Sequence, residues 1–183
     1  MELGVTNFIP MMKKIYLFLI QALLVMGLAL TVGCTKDNPK DPDPVVPDPV
    51  GTITANISES TSISMNTYYG AVKWTKPDNL YLYGNYCRVS ICNLGKVKGL
   101  GNIANKLNNV GSLPQTGWTI LAYSNYEVAC ETGHGYVIKY SYSDEIVGAL
   151  ALYVVEPIIS TSGGIMGAKV KYISHEFKEL FSR

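Results

Sequence analysis

Apolar and polar residues alternate along most of the second half of the chain, the period-2 signature of strands with one buried face. In residues 136–142, Tyr136, Ile138, Tyr140 and Tyr142 fall on one side and Lys139 and Ser141 on the other. Residues 168–173 set Val170 and Tyr172 against Lys169 and Lys171 in the same way. Residues 149–155 are apolar at every position, which predicts a strand covered on both faces. Further strands are expected at 52–57, 69–75, 80–83, 86–92 and 118–122, separated by turn signals at 76–79, 84–85, 143–145 and 162–164. One short helix is expected around residues 102–107. A second should close the chain, because Ile173, Phe177, Leu180 and Phe181 recur at helical spacing after Ser174. Strands and helices do not alternate, so a doubly wound parallel sheet is excluded, and no repeat of fixed period is present. The expected fold is mainly β: an antiparallel β-sandwich or open barrel with one short helix.

The N-terminus follows a different pattern. Lys13 and Lys14 precede an apolar run of 18 residues, 15–32, and then Gly33-Cys34. Charged, apolar and small residues in that order form a secretory signal. The run is also long enough to be a membrane span. The site resembles a bacterial lipobox, with Thr31 where leucine usually stands. That resemblance implies cleavage before Cys34 and a diacylglycerol on its sulfur. Met11 or Met12 is a better-placed start than Met1. Residues 35–50 hold five of the nine prolines, four aspartates and two lysines. Such a stretch favours polyproline II and would reach ~50 Å. The expected organisation is therefore a signal at 1–33, a lipidated cysteine and Pro/Asp-rich tether at 34–50, and one β-rich domain at 51–183. Cys34-Thr35-Lys36-Asp37 also resembles the surface-export signal of Bacteroidetes lipoproteins, which implies an outer-membrane protein facing the exterior.

Composition narrows the partners. Lys+Arg 15 against Asp+Glu 14 leaves a net charge of +1, without the basic footprint of a nucleic-acid binder. Tyr 13 against Phe 4 suits half-wet pleated faces. Once Cys34 is lipidated, Cys87, Cys92 and Cys130 remain. Cys87 and Cys92, five residues apart on one strand, would sit ~16 Å apart on opposite faces, beyond the ~7 Å limit for bridging. Any disulfide is therefore expected between Cys92 and Cys130, each placed at a strand end before a glycine turn.

Four constellations bear on chemistry. Residues 99–104 fit the relaxed dinucleotide fingerprint, but the helix is too short and no acid lies between Asp78 and Glu127, so a tight glycine turn is the better reading. Glu131 and His134 have metal-ligand spacing only on a helix, and Thr-Gly-His-Gly is a turn. A Cys130–His134 nucleophile pair has no evident third group to orient the base. The expectation is no metal, no cofactor and no catalytic set. The tyrosines offer a platform for sugar rings, and Tyr68, Tyr69, Tyr81, Tyr83, Tyr123 and Tyr126 are those that alternation leaves free of the core.

Five segments together resemble a family: residues 94–103, 114–118, 133–137, 152–154 and 163–172, including Gly133-His134-Gly135-Tyr136-Val137 and the run from Gly163 to Tyr172. They are similar to the uncharacterised lipoprotein domains of gut Bacteroidetes. The resemblance implies a secreted, lipid-anchored β-domain and carries no activity or catalytic residue to transfer. The functional expectation is a non-enzymatic surface module binding a glycan, a host polymer or a partner lipoprotein, held to the membrane by its lipid. The alternative is a structural component of an envelope or fimbria-like assembly. A small hydrolase using His134 is the weakest reading.

Overall fold

A computed structural model describes residues 44–178 except 67, 68, 77 and 122–125. Cys34, the 15–32 segment, Tyr68, Tyr123, Leu180 and Phe181 lie outside the described residues. Two antiparallel sheets pack face to face around a shared core, a sandwich-like, mainly β arrangement that does not close into a barrel. The strands are β1 (Ile53–Ser58), β2 (Ser62–Ile63), β3 (Gly70–Thr75), β4 (Asn79–Gly84), β5 (Arg88–Lys96), β6 (Trp118–Leu121), β7 (Tyr126–Ala129), β8 (His134–Tyr142), β9 (Glu145–Ile159) and β10 (Ile165–Glu176). The large sheet has the order β1-β10-β9-β8-β5-β6 and the small one β2-β3-β4-β7. Among the described residues, no helix is long and apolar enough to cross a membrane.

Alternation places the core. Val72, Trp74, Leu80 and Leu82 of the small sheet meet Ile138, Tyr140, Leu150, Leu152 and Val170 of the large one. The opposite face of the large sheet is also covered. Val137, Ala149 and Ala151 lie beneath Leu100, Ile103, Leu107 and Leu113. This outer layer comprises α1 (Gly101–Ala104), a 3-10 turn at Asn105–Leu107 and another at Val110–Ser112. The strand that is apolar on both faces is therefore β9, the third strand from the β1 edge, sandwiched as its sequence requires. Small Ala149 and Ala151 leave room for the helical layer, while larger Leu150 and Leu152 fill the gap between sheets.

Three expectations change. The terminal helix is absent as far as Lys178: β10 continues to Glu176, and the Phe177 and Lys178 amides both donate to the Val147 carbonyl. Ile173 and Phe177 are four apart, and an even spacing keeps them on one face of an extended chain as well as of a helix. Both pack into the layer beneath α1.

The Cys92–Cys130 disulfide does not form, and Cys87, Cys92 and Cys130 are free thiols. β5 runs four residues past Cys92, which pairs with Val137 on the face under the helical layer. Cys130 packs instead against the core between the sheets. The two sulfurs thus belong to opposite sides of the large sheet.

The domain also begins earlier than residue 51, because residues 44–50 lie against it. Asn102 Nδ2 donates to the Pro44 carbonyl at 3.0 Å, and Lys171 Nζ pairs with Asp48 at 2.5 Å. The carbonyls of Val46 and Pro47 would stand 2.3 and 2.2 Å from a Cβ on residue 101, so Gly101 is what lets this segment approach.

Two buried tyrosines of β8 differ in a way that predicts opposite mutational effects. Tyr136 donates to the Ala129 carbonyl at 2.8 Å and accepts from the Glu131 amide at 3.1 Å. Tyr140, fully buried, has a hydroxyl with no hydrogen-bond partner among the described residues. Tyr136→Phe should cost about 1 kcal/mol because it removes two hydrogen bonds to partly buried backbone groups, whereas Tyr140→Phe should be neutral or stabilise by up to about 1 kcal/mol. Urea unfolding of the two variants checks the sign of each.

Candidate functional site

The side chains on the outer face of the small sheet follow from strand register. Val72, Trp74, Leu80 and Leu82 point inward, so Lys73, Thr75, Asn79, Tyr81 and Tyr83 point outward. The β3–β4 pairing sets Lys73 opposite Tyr81, Ala71 opposite Tyr83 and Thr75 opposite Asn79. Ser62 extends the Lys73 row on one side and Glu127 extends it on the other. Lys73 Nζ sits 4.9 Å from the Tyr81 ring centroid, a cation–π contact. The Tyr81 and Tyr83 rings are 6.1 Å apart and tilted by 50°. Glu127 is fixed by Thr75 Oγ1 at 3.1 Å and Asn79 Nδ2 at 3.2 Å.

A groove of 470 Å³ runs over this face, lined by Glu59, Ser60, Ser62, Lys73, Tyr81, Tyr83 and Gly84. Its rim is ordered. Ser58 Oγ contacts Ser60 Oγ at 3.1 Å and Thr61 Oγ1 at 2.7 Å, and it accepts from the amides of both residues. Half-buried aromatic rings beside fixed hydroxyl, carboxylate and ammonium groups can stack on an apolar ring face and hydrogen-bond around its edge.

The six tyrosines singled out by alternation fare differently. Tyr81 and Tyr83 come together on this face. Tyr69 does not: it is fully buried, 6.1 Å from the Tyr140 ring, and its hydroxyl donates to Glu176 Oε1, with the Lys178 carbonyl also within hydrogen-bond distance. Tyr69 immediately precedes β3, and its ring closes the end of the core instead of facing solvent. Tyr126 opens β7 opposite Leu82. Lys73, Glu59, Ser62 and Glu127 were missed by the sequence reading. Counting outward from the Thr75–Asn79 turn pairs Lys73 with Tyr81, a signal available once the hairpin is assumed.

The Glu131–His134 pair forms a second polar cluster. His134 Nε2 lies 3.3 Å from Glu131 Oε2, and Nδ1 lies 3.3 Å from Asn93 Oδ1. Neighbouring Gly135 lies beneath Val97 and Ile103. Cys130 is a poor nucleophile: burial, then Asp78 and Glu131, push its thiol up to about 12. Among the described residues, no group of three or more His, Cys, Asp or Glu side chains could hold a metal ion. Residues 99–104 show no dinucleotide-binding geometry, since β5 is antiparallel to its neighbours and α1 has four residues.

The observations define a class no finer than a mainly β, two-sheet antiparallel sandwich with an aromatic groove on its small sheet. Comparison of the chain with protein-family models, curated proteins and solved structures finds no match.

Proposed function

We propose that the chain is a surface lipoprotein, anchored through Cys34 in the outer membrane, whose sandwich is a non-catalytic binding module for a glycan, a host polymer or a partner lipoprotein. The observation that carries this reading is the Tyr81–Tyr83 groove with its hydrogen-bonded serine rim. The poorly nucleophilic Cys130 thiol weighs against the Cys130–His134 form of the hydrolase reading. A second reading, a structural part in an envelope or fimbria-like assembly, draws on exposed Ile159, Ile165 and Met166 at the β9–β10 tip.

The test compares the full chain with its Tyr81→Ala/Tyr83→Ala variant on an array of glycans and extracellular matrix proteins. Removing two stacking rings should weaken binding by about 10-fold or more while leaving thermal unfolding nearly unchanged. Equal binding by the two chains, or none by the wild type, would overturn the reading.

A further inference from the structure

The charges around the groove narrow its ligand further, on the assumption that this face is the binding face. One cation, Lys73, serves the cross-strand row, and it stands over Tyr81. Two carboxylates flank it, Glu59 on the groove wall and Glu127 in the same row. At the turn joining β3 to β4, exposed Lys76 and Asp78 offset each other. The face therefore carries a net negative charge. An anionic polymer such as a uronate or sulfated chain would meet like charge, and a single ammonium already shared with an aromatic ring does not compensate.

A neutral sugar meets no such penalty. Each hydroxyl both donates and accepts, which matches a lining of three kinds: Lys73 donates, Glu59 accepts, and Ser60 and Ser62 do either. The tilt of 50° between the tyrosine rings offers two differently oriented stacking faces rather than one flat shelf. The groove volume of 470 Å³ lies toward the lower end of the ~300–1,000 Å³ range of small-molecule sites, room for one or two sugar rings. The lysine–tyrosine contact and the bonded serine turn hold these groups in place before binding, which lowers the ordering cost.

We propose that the outer groove of the small sheet grips a neutral glycan, with Tyr81 and Tyr83 stacking on its ring faces and Lys73 and Glu59 bonding its hydroxyls. The experiment titrates the full chain, held in detergent, with two sets of probes at low and high salt. The neutral set is oligosaccharides from cellulose, xylan and mannan; the anionic set is polygalacturonate and heparan sulfate. At least one neutral probe should bind with an affinity that salt leaves unchanged. Lys73→Met keeps the alkyl stem but removes the donor, and should weaken that binding about 10-fold. Glu59→Gln should weaken it less.

Preference for an anionic probe, lost at high salt and in the Tyr81→Ala/Tyr83→Ala chain, would overturn the neutral assignment while leaving the face correct. Neutral binding unaffected by the tyrosine and lysine variants would overturn the site itself. Binding to none of the probes would overturn the glycan proposal, and the array of glycans and matrix proteins then decides the broader reading independently.

Discussion

Gly70→Ala is expected to destabilise the protein by about 3 kcal/mol or more, among the largest losses available to a single methyl group here. Residue 70 has φ +137°, a conformation that L side chains rarely adopt. It pairs with Gly84 across β3 and β4. A Cβ there would stand 2.1 Å from the Tyr83 carbonyl oxygen and 2.8 Å from the Gly84 Cα. Both obstacles are backbone, so no side chain can rotate away and the strands would have to part. Because Tyr83 sits in that pair of strands, the variant should also lose ligand affinity. Gly95→Ala is the control: φ is +73° but nothing lies within 4 Å of the added carbon. It should cost only about 1 kcal/mol, from backbone conformation alone. Similar midpoints for the two variants in urea would mean that the Gly70–Gly84 approach is not as tight as described.

Alkaline pH should unfold the protein with a second large effect. Burial is the leading cause for all three groups involved: it pushes the Cys130 thiol and the Tyr136 phenol up to about 12 each, and raises the Tyr140 phenol as well. In the unfolded chain these groups titrate near 9 for the thiol and 10 for the phenols. Between those values and about 12 the native state holds more protons than the unfolded state, so stability falls as pH rises. The contribution is fully present below about pH 9. Its loss toward pH 12 amounts to several kcal/mol. Thermal melts from about pH 8 to 12 should show a plateau and then a steep decline, and Cys130→Ala and Tyr136→Phe should each flatten the decline. A midpoint unchanged up to pH 12 would contradict it.

Much of this architecture was legible in the chain. Alternation fixes which side chains share a face, because the strand period is 2 and the helix period 3.6. That rule located eight of the ten strands to within a few residues, although β9 and β10 extend well past the expected ends. It also identified β9 as covered on both sides and Tyr136 and Tyr140 as interior. Tyr142, expected on the same interior face, is exposed, because the β8–β9 register shifts between Tyr140 and Ser141. The two strands it missed, β2 and β7, have two and four residues. Segments that short hold too few alternations to register, and their pairing partners make them strands. The C-terminal segment failed for a related reason, since Ile173 and Phe177 satisfy both periods and only the β9 ladder selects one.

Local sequence also fixed the turn chemistry. Ser143 and Asp144 both take positive φ, 47° and 68°, in the tight β8–β9 hairpin; aspartate tolerates that conformation, whereas serine is held in it by the two-residue turn. What the sequence could not decide was which face of which sheet each strand would present, and to what. Cys92 and Cys130 looked alike as strand-end thiols, yet they lie on opposite sides of the large sheet. Tyr69 and Tyr81 looked equally free, yet one closes the core and the other faces outward beside Lys73. Residues 44–50 read as an unattached spacer by composition, yet they lie against α1 and β10 through Gly101, Asn102 and Lys171. The common reason is that periodicity and composition are local, carried by neighbours along the chain. Facing partners, free thiols and the groove itself come from strand order and register, which bring together residues such as Glu59, Lys73 and Tyr81 only when the sheets form.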